Sequence, residues 1–351
     1  MLFRSIGVAF GILMLRLLYM QVIMGERYKL LSLNNSIRLV PTQPPRGLIL
    51  DRDHQSMVSN IPTFTVSLFT GGKDMDRTVV TLSQLLHMEE EDVYTKIVHQ
   101  TGWAYLPVRL KENVPREVIA AIEERREELP GVLVQTEPRR FYRYHDMAAH
   151  VLGYVSKINA GQLESLKSAG YTPWDVVGQL GVEKVYDAAL RGESGGTEIE
   201  VDHQGRPQSK SLLNLHSREP RPGNNLVLTL DLDLQELSEN LLREYAGSIV
   251  VTNPQNGEVL AMASQPAFDL NLFAEGISTA DWEKFSNDER TPLNHRAVNG
   301  LYPPGSIFKI VTASAGLEEK VIDTKTVFDC NGIFYIKTWL YRCWYRLGHS
   351  W

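Results

Sequence analysis

A serine and a lysine stand three residues apart in the segment YPPGSIFKI, which covers residues 302–310. The Pro-Pro-Gly before the serine cannot continue a helix, whereas the residues after it are helical in composition. The pattern therefore predicts that Ser306 lies at or next to a helix N-cap. Residues i and i+3 share one helix face, which lets Lys309 reach the hydroxyl group of Ser306.

Nucleophilic catalysis needs groups of this kind. A serine hydroxyl is a poor nucleophile unless a base lies within hydrogen-bond reach, and Lys309 would act as that base in its neutral form. Backbone N–H groups at a helix N-terminus stabilise a developing oxyanion. Ser-x-x-Lys alone is a weak signal, so the local sequence leaves two interpretations open: a serine that only caps a helix, and a serine nucleophile beside its base.

The two cysteines of the chain and a nearby histidine form a second candidate site. Cys330, Cys343 and His349 have the spacing Cys-x12-Cys-x5-His. Thiolates and an imidazole at this spacing suit tetrahedral zinc. A disulfide outside the cytoplasm and two buried free thiols are the alternatives, and the spacing does not decide among the three.

Length and composition limit the class of protein. The chain has 351 residues, is 43% hydrophobic and 22% charged, and carries a net charge of −6. A chain of this length is expected to form about two or three units. The mild acidic balance argues against a nucleic-acid partner, which normally requires a basic face.

The N-terminal sequence is apolar. Residues 6–24 contain one charge, Arg16, and as a helix they would extend about 28 Å, close to the hydrocarbon thickness of a bilayer. We therefore expect an uncleaved transmembrane helix, with the rest of the chain on one side of the membrane. The alternative is a buried amphipathic helix.

The remaining elements must position the two candidate sites. Short strands and helices alternate up to a boundary near residues 220–225 (PRPGNN), and this middle block contains no catalytic cluster. A helix, a hairpin turning at NPQNG (residues 253–257) and the serine segment follow, which indicates an α+β layer domain. The expected boundaries are 1–25 for the cytoplasmic tip and anchor, 26–220 for the middle block and 221–351 for the last domain.

Several ordered blocks carry a family resemblance. They are PPRGLILDRDHQSMVSN, with His54 where the family has glycine, AAHVLGYV, GQLGVEKVYDAALRG, GNNLVLTLDLDLQ, NPQNGEVLAMASQPAFDLNLF, with Asn253 where aspartate is commoner, and NHRAVNGLYPPGSIFKI. In this order the blocks resemble class B penicillin-binding proteins, in particular those of the cell-elongation machinery.

The resemblance implies a fold and an activity. The fold would be a mixed α/β pedestal followed by the N-terminal part of a penicillin-binding, β-lactamase-like transpeptidase domain. The activity would be peptidoglycan D,D-transpeptidation at the bacterial inner membrane, with the bulk of the chain extracytoplasmic and no cofactor for catalysis. Ser306 would attack the D-Ala-D-Ala carbonyl of a stem peptide, Lys309 would take its proton, and β-lactams would acylate the same serine.

Two further implications concern partners and metal. The pedestal would meet the partner glycosyltransferase of the elongation complex. The segment around Cys330, Cys343 and His349 resembles the zinc loop of many elongation-type members, which implies a structural zinc ion whose fourth ligand comes from the family's second motif.

One departure from the family is clear. The second motif, Ser-x-Asn or Ser-x-Asp, and the third, Lys-Ser/Thr-Gly, do not occur after Ser306. We therefore expect a truncated transpeptidase module. A non-catalytic, membrane-anchored scaffold is the alternative, and a β-lactam sensor or hydrolase is a third hypothesis against which the long pedestal argues.

Overall fold

The computed structural model of the chain describes residues 2–27, 37–69, 75–100, 107–200, 217–345 and 347–350. The chain forms two compact units, residues 1–299 and 300–351, and both contain helices and strands. Within the described residues, the helices of the first unit are α1 (Leu2–Leu18), α2 (Met75–Leu86), α3 (Glu90–Gln100), α4 (Arg116–Glu124), α5 (Ala149–Leu152), α6 (Ala160–Leu166), α7 (Gly181–Val185), α8 (Asp187–Leu190), α9 (Leu232–Leu242), α10 (Leu270–Glu275), α11 (Thr279–Asn287) and α12 (Arg296–Asn299).

The first unit also contains antiparallel and parallel strand pairs. Its described strands are β1 (Ile37–Thr42), β2 (Ile49–Leu50), β3 (Ser56–Leu68), β4 (Val108–Val114), β5 (Val132–Tyr142), β6 (Val155–Lys157), β7 (Val176–Gly178), β8 (Gly195–Glu200), β9 (Ser217–Arg218), β10 (Leu226–Val227), β11 (Gly247–Thr252) and β12 (Val259–Gln265). β1, β8 and β9 form one sheet, β6 pairs with β7, and β11 pairs with β12.

The long strand β3 organises the largest sheet. β5 runs antiparallel to β3, and β4 and β2 are also antiparallel to it. β10 returns from far along the chain to pair in parallel with β2, Leu226 opposite Ile49. Beside this pair, the backbone N–H of Leu48 donates to Oδ1 of Asn225, 177 residues away. Residues just beyond the expected end of the middle block therefore join the sheet near its start.

Helices α2, α3 and α4 pack against this sheet because each has one apolar face. On α2, Val79, Leu82 and Leu86 recur at helical spacing and are almost fully buried, as an amphipathic helix requires. They share one core with Val66 and Leu68 of β3. A second core joins the start of the sheet to the helices that follow, and it includes Ile49, Met57, Tyr142, Leu152, Leu190, Leu230, Phe268, Leu270 and Phe273.

A buried ion-pair network joins sequence blocks that are far apart. Glu183 on α7 is fully buried and accepts hydrogen bonds from Nη2 of Arg46 at 2.8 Å and Nε of Arg140 at 2.6 Å. Arg46 also donates to Asp187 on α8 at 2.8 Å. Burial alone would lower the pKa of Arg46, but the two carboxylates raise it. The backbone packs tightly here, since a Cβ on Gly47 would lie 1.8 Å from the carbonyl oxygen of Asn224.

The turn between β2 and β3 contains the histidine that departs from the family pattern. Oδ1 of Asp51 accepts from the backbone N–H groups of Asp53 and Gln55, and the N–H of His54 donates to the carbonyl of Asp51. His54 has φ +62°, in the left-handed region that glycine adopts at little cost. The backbone therefore explains why glycine is typical at this position.

The structure does not support the expected transmembrane helix over residues 6–24. The α-helix ends at Leu18 after 17 residues, and a π-helical stretch, Tyr19–Ile23, follows it. Among the described residues, none of the helices is both long and apolar enough to cross a membrane.

The last part of the first unit contains the hairpin that the NPQNG sequence predicted. β11 and β12 pair from Gly247 to Gln265. The turn between them closes with the N–H of Asn253 donating to Glu258 and that of Gly257 to Asn253. Gly257 has φ +79°, which suits the glycine of an Asn-Gly turn. Helix α9 before the hairpin starts at the N-cap Asp231, which accepts from the N–H of Leu234.

The described residues of the second unit form a short 3₁₀ turn, one α-helix and two small two-stranded sheets. A 3₁₀ turn (Gly305–Ile307) leads directly into α13 (Phe308–Glu318). The described strands that follow are β13 (Asp329–Cys330), β14 (Ile333–Ile336), β15 (Trp339–Arg342) and β16 (His349–Ser350). β14 pairs with β15, and β13 pairs with β16, both antiparallel.

Candidate functional site

Ser306 lies in the middle of the 3₁₀ turn that starts α13. Gly305 before it has φ +53°, and the N–H of Ile307 donates to the carbonyl of Pro304. The N-cap positions of the turn and of the helix are Pro304 and Ile307, and neither has a side-chain cap hydrogen bond. Ser306 is thus next to an N-cap, as predicted, but does not cap the helix itself.

Lys309 lies one helical turn further, in the first turn of α13. The i, i+3 spacing places its side chain on the same side as Ser306, and both residues are exposed. Within the part of the chain that the structure describes, the hydroxyl and the amine are not hydrogen-bonded to each other. Catalytic hydrogen bonds are often long or unformed without substrate, so this arrangement is compatible with a nucleophile and its base.

The helix that carries these two residues presents apolar side chains to the surface. Ile307 is 78% exposed and Ile310 71% exposed, and Phe308 and Val311 are more than half exposed. Contiguous apolar surface of this kind is typical of regions that contact a partner, a ligand or another segment.

The three residues of the candidate metal site come from two paired strands and from the end of a third strand in the second unit. Cys330 ends β13, Cys343 follows β15, and His349 begins β16 opposite Cys330. Their ligand atoms lie within 4.8 Å of one another, and Sγ of Cys343 is 3.4 Å from Nε2 of His349. Gly348, at φ +77°, allows the close approach, since a Cβ there would lie 2.1 Å from the carbonyl oxygen of Cys330.

The chemistry of this cluster fits a thiophilic metal. Both cysteines are free thiols, so the disulfide alternative is not what the structure shows. The hydrogen bond from the N–H of Gly332 lowers the pKa of Cys330, and Cys343 and His349 contribute in the same direction. A lowered pKa favours the thiolate, which is the form that binds metal. Two thiolates and an imidazole make three of the four ligands of a tetrahedral structural site.

Sequence reasoning missed a concave site in the first unit. A cavity of about 510 Å³ is lined by residues from β3, β4, β5 and α10 and by the segment around Trp174. Many of its polar side chains are charged and paired with one another, for example Arg139 with Glu275 and Lys157 with Glu112. These residues are scattered over widely separated blocks, so no local motif pointed to the cavity.

Comparisons with known proteins agree with the family resemblance. Residues 41–228 match the penicillin-binding protein dimerisation domain, and residues 247–350 match the penicillin-binding protein transpeptidase domain. The peptidoglycan D,D-transpeptidase MrdA of Acinetobacter baumannii is 34% identical over 339 residues, which cover 95% of this chain and 50% of the relative. The chain thus spans about half the length of the curated relatives it matches.

Solved structures agree with this match. The complex between penicillin-binding protein 2 and MreC from Helicobacter pylori is similar with a TM-score of 0.71 at 26% identity, over 90% of this chain and 58% of the other. A peptidoglycan synthase complex that coordinates polymerization and crosslinking is similar with a TM-score of 0.59 at 30% identity, over 99% of this chain and 59% of the other.

Proposed function

Since this chain belongs to the penicillin-binding proteins, with a dimerisation domain and a transpeptidase domain, we propose that it acts in peptidoglycan D,D-transpeptidation during cell-wall elongation. Relatives that carry this activity in their names match almost the whole chain. The observation that carries the proposal is the placement of Ser306 and Lys309 on consecutive turns at the start of α13.

In the proposed reaction, Ser306 and Lys309 act in sequence. Neutral Lys309 accepts the proton of the Ser306 hydroxyl as Oγ attacks the carbonyl between the two D-alanines of a stem peptide. The bond to the terminal D-alanine breaks, and this residue leaves as the free amine after it takes up a proton. An amine of a second stem peptide then attacks the acyl-enzyme, which forms the cross-link and returns the proton to Ser306.

The same serine would open β-lactams. Oγ would attack the carbonyl of their strained amide, and the nitrogen that is expelled stays tethered to the acyl group instead of leaving. A fluorescent penicillin therefore reports the nucleophile directly, through a covalent label that survives denaturation.

The test is penicillin labelling of the complete product of the gene that encodes these residues. Ser306→Ala should abolish the label. Lys309→Ala should slow labelling by about 10²–10⁴, the usual worth of general-base help, and Lys309→Arg should be nearly as slow because arginine stays protonated. Ser314→Ala and Lys320→Ala, on or just after the same helix, are the matched controls and should label normally.

Within these 351 residues, neither Ser-x-Asn/Asp nor Lys-Ser/Thr-Gly follows Ser306, so labelling is measured on the complete gene product. The non-catalytic scaffold is the alternative function. Full labelling of Ser306→Ala would contradict the assignment of the nucleophile. A complete gene product that lacks both motifs and does not label would favour the scaffold.

We also propose that Cys330, Cys343 and His349 hold a structural zinc ion, which would fix the loops around β13 and β16. The complete gene product should contain about one zinc ion per chain, measured by plasma mass spectrometry after dialysis. Cys343→Ser should lower this content, while His87→Ala, an exposed histidine of the first unit, should not. An unchanged zinc content in Cys343→Ser would contradict the site.

The proposed substrate places the reaction outside the cytoplasm, where peptidoglycan is cross-linked, and implies protein partners. We propose that the dimerisation domain, residues 41–228, binds the partner glycosyltransferase of the elongation complex. Support comes from similarity to a synthase complex and to a complex with MreC. Co-purification of the chain with the glycosyltransferase of the same organism tests this, and loss of the complex on deleting the transpeptidase domain alone would contradict it.

A further inference from the structure

The cavity of the first unit has walls of unusual composition. Its volume of about 510 Å³ lies within the range of small-molecule sites, about 300–1,000 Å³. One side is formed by β3, β4 and β5, and the other by the segments that carry Trp174 and Trp282. All of these residues belong to the first unit, so the cavity does not depend on the serine segment.

Each cationic side chain that lines the cavity is paired with a carboxylate, some of which lie outside the lining. Nη1 of Arg139 pairs with Glu275 at 2.8 Å, and Nζ of Lys157 pairs with Glu112 at 2.9 Å. Deeper in the wall, Arg46 and Arg140 are bound by the buried carboxylate of Glu183. An anionic ligand would have to compete with these carboxylates, and breaking a buried pair costs several kcal/mol.

A metal ion is equally disfavoured in this cavity. Among the described residues, side chains close enough to share a metal ion are found in the cysteine and histidine cluster of the second unit and not in the cavity. The acidic side chains of the cavity are instead each held by a cation. The lining therefore selects an uncharged ligand that is rich in hydrogen-bonding groups.

Two indole rings belong to the apolar part of the lining. Trp282 is 45% exposed and stacks on no other aromatic ring among the described residues, while Trp174 is partly buried. In the same lining, the ring of Tyr154 packs on Phe273 with centroids 4.2 Å apart. An aromatic ring offers a flat apolar face next to polar groups, and the C–H face of a pyranose is complementary to it.

Side chains at the rim of the cavity can form hydrogen bonds with the hydroxyl groups of such a ring. An ammonium group has three donors and a carboxylate accepts at two oxygens, so the Lys157–Glu112 and Arg139–Glu275 pairs retain bonding capacity after pairing. Lys157 and Glu275 are 66% and 48% exposed and accessible to a ligand. Paired charged groups beside indole rings thus match a ligand that has apolar faces and hydroxyl groups at its edges.

We propose that this cavity binds an uncharged oligosaccharide. Its chemistry alone selects the saccharide class; that the sugars are N-acetylated, as in the glycan strand of peptidoglycan, rests on the proposed function. The cavity would then hold the glycan strand while the stem peptides react at a separate site.

The test is a binding titration of the full chain with chitotetraose, an uncharged N-acetylated tetrasaccharide, followed by isothermal calorimetry. Cellotetraose, which lacks the acetamido groups, is the second ligand. Trp282→Ala should weaken binding of chitotetraose at least about tenfold, the loss typical of a central aromatic contact. Trp339→Ala removes an indole that is 72% exposed outside the cavity and should leave binding unchanged.

The outcomes separate this proposal from the proposed catalytic function. Absence of binding to both saccharides would overturn the saccharide site, and equal affinity of Trp282→Ala and the native chain would overturn its location. Equal binding of the two saccharides would support the site but overturn the N-acetyl preference. Penicillin labelling of Ser306 is measured independently, so either proposal can fail while the other stands.

Discussion

Replacement of Glu183 by alanine should remove the carboxylate that two buried arginines share. Glu183 is fully buried, and its two oxygens accept from Arg46 and Arg140 at 2.8 and 2.6 Å. The two arginines are affected unequally. Arg46 keeps its ion pair with Asp187 at 2.8 Å, whereas Arg140 keeps only the carbonyl of Gly47 and a long contact to Asn60.

The expected loss of folding stability follows from the positive charge that Arg140 keeps after its partner is removed. The side chain of Arg140 is only 1% exposed, so its guanidinium would stay ionised in the protein interior without a counter-charge. Breaking a buried pair in this way typically costs about 3–5 kcal/mol. A single domain is stable by about 5–15 kcal/mol, and the variant should therefore unfold at a much lower urea concentration than the native chain.

Urea titration followed by far-ultraviolet circular dichroism measures this loss. Glu193→Ala is the matched control, since Glu193 pairs with Arg218 and Arg221 at the surface and such pairs contribute about 0–1 kcal/mol. Adding Arg140→Met to Glu183→Ala removes the unpaired charge, so the double variant should lose less than the sum of the single variants. A loss below about 1 kcal/mol for Glu183→Ala would refute the reasoning.

Three further substitutions test other parts of the first unit. His54→Gly should raise the free energy of unfolding by about 0.5–1 kcal/mol because the exposed His54 holds a left-handed backbone, and an unchanged urea midpoint would contradict this. Burial raises the pKa of Glu239 to about 7, so the native chain should lose stability as pH rises from about 4.5 to 7, where Glu239 must ionise in the protein interior. Glu239→Gln should remove this pH dependence. Above pH 7 the variant should be more stable than the native chain by up to about 3 kcal/mol. Burial lowers the pKa of His150 to about 4, so its contribution is lost as pH falls from about 6.5 to 4. In urea titrations at several pH values, the free energy of unfolding of His150→Gln should fall less between about pH 6.5 and 4 than that of the native chain. An equal fall in both proteins would contradict the assignment.

Local patterns in the sequence predicted the local features correctly. Asn-Gly at residues 256–257 predicted the hairpin turn, and Pro-Pro-Gly before Ser306 predicted the start of a helix. The spacing of Cys330, Cys343 and His349 left zinc, a disulfide and free thiols open, and the antiparallel pairing of β13 and β16 brings the three ligand atoms close together. In each case the residues that interact lie within one turn, one helix or one small hairpin.

Features that depend on distant contacts were not predictable in this way. Arg46 and Glu183 are 137 residues apart, and nothing in the local sequence of either indicates the other. The same holds for the cavity, whose two indoles come from different blocks. The apolar run at the N-terminus predicted one regular helix over residues 6–24, because hydropathy does not report where α-helical hydrogen bonding changes to the π-helical pattern at Tyr19.

The parallel pairing of β10 with β2 has a consequence for biosynthesis. Leu48 and Asn225 are joined by a hydrogen bond although 177 residues separate them in sequence. A ribosome needs roughly 9–35 s to add that many residues at about 5–20 residues per second. During that interval β2 lacks its outer neighbour and presents an unpaired edge, the kind of surface that recruits other chains. The dimerisation domain therefore completes its sheet only near the end of its own synthesis, and factors that shield nascent chains would have to act over that whole interval.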